Sequence, residues 1–133
     1  MLQDLDRQHL DAAGHRYSTY VEGELTLLVI HDYELPGGYS PRAVDLLLQI
    51  PRDYPDAALD MWWVFPEVRF ERTSSRPTNT DVFQPFAGFA PEPTRQWQRF
   101  SRHPQWRLGV DDLRSYLASL RSTMENEARR LAA

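Results

Sequence analysis

The run Val44-Asp45-Leu46-Leu47-Leu48-Gln49-Ile50-Pro51-Arg52-Asp53-Tyr54-Pro55, followed by Leu59-Asp60-Met61-Trp62-Trp63-Val64-Phe65-Pro66, decides how this chain folds. Val44, Leu46, Leu48 and Ile50 recur at every second position with Asp45 and Gln49 between them. That period places alternate side chains on opposite faces of a strand, which the sequence predicts over 42–50. Pro51 and Pro55 bracket a stiff connector, because proline has no N–H to give to a ladder. Residues 59–65 are a further strand, rich in bulky side chains and ended by Pro66.

Working toward the N-terminus, residues 24–33 alternate with both faces largely apolar, as expected of a central strand. Glu22-Gly23-Glu24 is a turn, and 16–21, with Tyr17, Tyr20 and Val21, is a first strand. Leu2, Leu5 and Leu10 at helical spacing predict a short helix over 2–13, stopped by Gly14. Toward the C-terminus, residues 67–105 read mainly as loop, with five prolines and with Phe83, Phe86, Phe89, Trp97 and Phe100 as anchors to the core. Residues 110–131 carry Val110, Leu113, Tyr116, Leu117, Leu120, Met124, Ala128 and Leu131 as one helical stripe. Four strands in series, joined by connectors too short for helical crossovers, make an antiparallel meander. The expected class is α+β: an N-terminal helix, a four-stranded antiparallel meander, a long loop and a C-terminal amphipathic helix laid on the sheet.

The 133 residues suit a single domain over 1–133, long enough to bury a core without disulfides or structural metal. There is no cysteine, which removes disulfides, thiolate metal sites and every cysteine nucleophile. All fifteen Lys plus Arg positions are Arg, and the formal net charge is −4. That balance gives no general pull toward nucleic acid or anionic membrane. The acidic first residues do not resemble a secretory signal, and no apolar run is long enough to span a bilayer, so a cytoplasmic location is expected.

Several chemistries lack their signatures. There is no phosphate-cradling glycine loop and no Gly-x-Ser-x-Gly elbow, and His9, His15, His31 and His103 have no ligand spacing. No cofactor and no metal are expected. Arg95, Arg99, Arg102 and Arg107 interleave with Trp97, Phe100 and Trp106, a pattern that stacking on single-stranded nucleic acid would use. The acidic total favours a solvated loop anchored by aromatics instead.

The order of elements, with Leu48-Gln49-Ile50-Pro51-Arg52-Asp53-Tyr54-Pro55 leading from one strand to the next, resembles the ubiquitin-conjugating (UBC) superfamily. Leu35-Pro36-Gly37-Gly38-Tyr39, Leu59-Asp60-Met61, Trp97-Gln98-Arg99-Phe100-Ser101-Arg102-His103 and Trp106 before Val110-Asp111-Asp112-Leu113 are similar to the prokaryotic UBC-like family E, over nearly the whole chain. Conjugating enzymes of the superfamily carry a cysteine about eight residues before the tryptophan that precedes the next helix; counting back from Trp106 gives Gln98. Their His-Pro-Asn motif is missing too, and Trp106-Arg107-Leu108 stands in place of Trp-Ser-Pro. The resemblance implies a Cys-free component of a bacterial ubiquitin-like conjugation pathway. Its partners would be a ThiF-like activating enzyme, a ubiquitin-like protein and a JAB-type peptidase, with neither nucleic acid nor membrane among them.

Without a thiolate, which is the usual activated acyl carrier, three readings of the 97–103 segment are open. The chain is a noncatalytic UBC/RWD-type adaptor that holds a ubiquitin-like protein or another partner. Alternatively, Ser101 carries an oxyester with His103 as its base. In the third reading, His103 deprotonates an incoming nucleophile while Arg102 and the Gln98 amide stabilise an oxyanion. The structural alternative is that Ser101 and His103 make only local bonds to backbone. The absence of lysine suits work beside activated acyl groups, but an Arg- and Ala-rich genomic composition is the favoured explanation.

Overall fold

The computed structural model describes residues 1–132, and its element order is α1 (Asp4–Ala12), β1 (Arg16–Glu22), β2 (Leu25–Glu34), β3 (Tyr39–Ser40), β4 (Ala43–Ile50), β5 (Trp62–Phe65), β6 (Arg69–Phe70), β7 (Phe83–Gln84), β8 (Trp97–Phe100) and α2 (Leu113–Ala132). Six strands form one antiparallel sheet in the order β1-β2-β4-β5-β8-β7, and β3 pairs with β6 apart from it. The meander expected from the alternating runs is present as β1-β2-β4-β5, and the architecture is the α+β, UBC-like one.

The sheet is wider than the sequence suggested. Within 67–105, Trp97–Phe100 pairs with β5 and Phe83–Gln84 extends the edge beyond it. Strands of two and four residues leave almost no periodic signal, and the ladder partner of β8 lies more than thirty residues away along the chain. The fourth run also shortens: its ladder begins at Trp62, leaving Leu59 and Asp60 in the connector. At the other end the helix begins at Leu113, and Val110, assigned to its buried stripe, is 61% exposed in the turn before it. Asp112 explains the start, since its Oδ1 accepts the Ser115 N–H at 3.0 Å, as a helix cap does.

Both faces of the sheet are covered. Leu28, Ile30, Leu46, Leu48, Ile50, Trp62, Val64 and Phe100 face α2, meeting Leu113, Tyr116, Leu120 and Met124. The alternate residues Leu27, Val29, Leu47, Trp63 and Trp97 face the other way and are covered by Phe86 and Phe89 of the 85–96 segment. The proline-rich stretch is therefore the lid of a second core, which explains why the central strands are apolar on both sides. Arg95 locks the lid: its guanidinium lies 4.1 Å from the Phe65 ring centre, 5.1 Å from Phe89 and 5.4 Å from Trp97, and Nη1 reaches Asp45 Oδ2 at 3.0 Å.

Tyrosine hydroxyls tie the helices to the turns. Tyr54 Oη donates to Asp6 Oδ1 at 2.8 Å and accepts the Leu113 N–H at 2.7 Å, so one side chain joins α1, the Tyr-Pro connector and the start of α2. Tyr39 Oη donates to the Met124 carbonyl at 2.7 Å.

Candidate functional site

β8 and the segment leaving it bury Gln98, set Ser101 and Arg102 along one groove and leave His103 at the surface. Gln98 points from β8 into the interior and is fully buried. Its Oε1 accepts the Val68 N–H at 2.7 Å and its Nε2 donates to the Val68 carbonyl at 3.1 Å. The amide thus serves one residue's backbone as a neighbouring strand would, filling a place that the ladder leaves open. One amide N–H is given to the Val68 carbonyl and the side chain is sealed from solvent, which supports a structural place for Gln98 over the oxyanion role considered for it.

Arg102 is likewise committed. Its Nε and Nη2 meet Glu127 Oε1 and Oε2 at 2.6 and 3.0 Å, a two-pronged ion pair between the exit of β8 and α2. The guanidinium also lies 5.6 Å from the Phe100 ring centre and donates to the Ser101 carbonyl at 3.2 Å. This pairing fastens strand to helix and competes with the oxyanion role considered for Arg102.

Ser101 is half-buried; its N–H donates to the Asn79 carbonyl at 3.3 Å. It lines a groove of about 550 Å³ with Phe70, Thr78, Asn79, Arg130, Leu131 and the paired Arg102 and Glu127. No hydrogen bond joins Ser101 to His103 among the described residues, so spacing on one side of an extended segment does not produce the Ser–His pair.

His103 stands at the surface with its side chain 64% exposed, and its Nδ1 lies 2.6 Å from Asp60 Oδ1. A carboxylate only accepts, so in the neutral ring this contact puts the proton on Nδ1 and leaves Nε2 as the basic nitrogen. Asp60 is held in turn, because the Tyr116 hydroxyl of α2 donates to its carbonyl. Burial first, and then the nearby Asp60 charge, raise the Tyr116 pKa, so that phenol remains a donor. Tyr116 and Pro104, the residue after His103, both line a groove of about 320 Å³ with Gln105, Trp106, Arg107, Asp111, Ser115 and Ser119. Trp106 fixes its wall by donating Nε1–H to the Pro55 carbonyl at 2.9 Å. Asp60 is the residue that sequence reading missed. It lies 43 positions from His103, and only the turn before β5 brings the two together.

Three of the four arginines interleaved with aromatics are paired within the chain, while the buried Nε of Arg99 has no hydrogen-bond partner among the described residues. Arg95 meets Asp45, Arg102 meets Glu127, and Arg107 reaches Asp111 Oδ2 at 3.4 Å. The carboxylates that hold them offset the positive charge a nucleic-acid strand would need. Among the described residues, no three His, Asp or Glu side chains gather as a metal site would require, and no helix is long and apolar enough to cross a membrane.

The family model described as prokaryotic E2 family E matches residues 2–127. The chain belongs to that family. No curated protein and no solved structure matches it. As a member of prokaryotic E2 family E it is an E2-like protein, and this chain has no cysteine. A thioester cannot form on this family E chain, so any chemistry it performs must run through other side chains.

Proposed function

We propose that this family E protein acts in a bacterial ubiquitin-like conjugation pathway, engaging a ThiF-like activating enzyme and a ubiquitin-like protein and assisting a transfer that uses no thioester on this chain. The observation that carries this reading is the His103–Asp60 pair beside the groove of Trp106 and α2. With Nδ1 against Asp60, His103 Nε2 takes the proton of an incoming amine as the amine nitrogen bonds to the acyl carbon brought by a partner, and the bond from that carbon to its carrier on the partner breaks, the carrier leaving with the electron pair. Asp60 orients the ring and stabilises its protonated form, as the carboxylate does in a Ser-His-Asp triad. A JAB-type peptidase that removes the conjugate and a cytoplasmic setting belong to the same proposal, as does a single domain over the whole chain.

A second reading, the noncatalytic adaptor, is supported by the loss of Gln98 and Arg102 from the candidate machinery to internal bonds. Reconstitution with the activating enzyme, the ubiquitin-like protein and ATP separates the two. Base catalysis requires His103→Ala to lower conjugate formation by about 10²-fold while leaving partner binding intact. An adaptor retains output in that variant and loses it only when association fails. A chain that neither binds these partners nor changes conjugate formation refutes both.

A further inference from the structure

A second group of titratable side chains lies on the far side of the sheet from α2, on three neighbouring strands. Ser18 of β1 stands opposite Val29 of β2, and His31 is two residues beyond Val29, on the same face. That diagonal brings Ser18 Oγ to 2.9 Å from His31 Nε2. The other ring nitrogen, Nδ1, lies 3.7 Å from Asp45 Oδ1 of β4.

Asp45 is itself pinned. Its second oxygen, Oδ2, meets Arg95 Nη1 at 3.0 Å, and Arg95 is held over three aromatic rings and by Glu92 Oε2 at 2.7 Å. One carboxylate oxygen is thus taken by a fixed cation, while the other faces the imidazole. The His31 and Asp45 side chains are 22% and 26% exposed, so both are reachable from solvent. β1 is an edge strand, so no further strand flanks Ser18 on its outer side.

We propose that Ser18, His31 and Asp45 form a nucleophilic site that accepts acyl groups from activated carboxylic esters. Such triads are defined by the roles and geometry of their members, not by their order in a chain. Ser18 Oγ attacks the ester carbonyl carbon and forms the new C–O bond while its proton passes to His31 Nε2. The proton then moves to the leaving alkoxide oxygen as the ester C–O bond breaks, and the alcohol departs. Water, deprotonated by the same nitrogen, hydrolyses the acyl-serine to a carboxylic acid and restores the hydroxyl. Asp45 orients Nδ1–H and balances the transient imidazolium. At 3.7 Å its contact is an ion-pair approach rather than a hydrogen bond, and triad contacts that are loose without substrate commonly tighten when it binds. Arg95 acts as a positioning residue through Asp45. The site is separate from the His103–Asp60 pair and does not depend on the conjugation reading.

The test is covalent labelling of the full chain with a fluorophosphonate probe, followed by tryptic mapping. The expected result is a single adduct at Ser18, within the peptide that runs from Tyr17 to Arg42. His31→Gln, with its fold checked by circular dichroism, should slow labelling by about 10²-fold, the usual scale for losing a general base. Ser122→Ala, on the exposed surface of α2, should label as the wild type does. Because the adduct is mapped on the wild-type chain, the test does not require that a Ser18 variant fold. An adduct absent from Ser18 or spread over several serines, or a His31→Gln chain labelled at the wild-type rate, overturns the proposal.

Discussion

Replacing Gln98 by Leu separates a structural role for this side chain from a catalytic one. Gln98 and Val68 are both fully buried, and the amide satisfies the Val68 N–H at 2.7 Å and the Val68 carbonyl at 3.1 Å. Leucine fills nearly the same space but offers neither partner. Each backbone group orphaned in the core costs about 1–3 kcal/mol, so two cost about 2–6 kcal/mol. Leucine's apolar surface returns about 1–2 kcal/mol through the hydrophobic effect. Taking the middle of each range, the net loss should be about 2.5 kcal/mol. With a urea m-value of about 2 kcal/mol/M, the unfolding midpoint should fall by about 1 M. The four tryptophans provide the fluorescence signal for that measurement. An oxyanion donor behaves in the opposite way: its loss leaves stability alone and lowers transfer. A Q98L chain within about 0.5 kcal/mol of wild type, a change typical of a surface substitution, would refute the buried-clamp reasoning.

Other expectations follow from single contacts. In Gly88→Ala the added Cβ would lie 2.6 Å from Glu22 Cβ and 2.8 Å from the Val21 carbonyl; lifting the 85–96 lid from β1 should cost about 1–3 kcal/mol by chemical unfolding. A double-mutant cycle on Arg102→Ala and Glu127→Ala should give a coupling of about 1–2 kcal/mol, because the pair is largely buried and two-pronged; a coupling near zero would remove it as the strand-to-helix clamp. Burial raises the pKa of Tyr39, Tyr54 and Tyr116 above the ordinary 10, so the folded state keeps these phenols protonated where the unfolded chain ionises. Their contribution to stability is complete below pH 10 and declines above it, so the urea midpoint should be insensitive to these groups up to pH 9 and fall beyond pH 10. Burial first, and then the neighbouring His9, lower the His15 pKa below the ordinary 6.5. The folded state then binds this proton less readily than the unfolded chain, so His15 withdraws stability as pH falls through 6.5; a His15 NMR titration midpoint at or above 6.5 would contradict that.

The parts of the fold legible in the sequence are those with long local signals. Val44, Leu46, Leu48 and Ile50 announce β4 by alternation, and the stripe from Leu113 to Leu131 announces α2 by its helical period. The second core was half visible: Leu27, Val29 and Leu47 are apolar on a face that α2 does not cover, and Phe86 and Phe89 are the aromatic anchors of a loop otherwise rich in proline. Joining the two required knowing that β8 pairs with β5, which four residues could not advertise. In the candidate site, His103 was identified from the motif it closes. Gln98, Ser101 and Arg102 share that motif, but a motif does not say which way each side chain turns.

Chain order and residue chemistry alone determined that no thioester can be carried here, that the scaffold is an α+β meander between two helices, and that the segment before Trp106 holds a histidine. Those conclusions rest on composition and on periods that repeat within a few residues. Tertiary structure alone decided that Gln98 bonds to Val68 and Arg102 to Glu127, that His103 meets Asp60, and that His31 lies between Ser18 and Asp45. Each of those contacts joins residues 13 or more positions apart, so its existence depends on strand register and helix docking, which are properties of the assembled core.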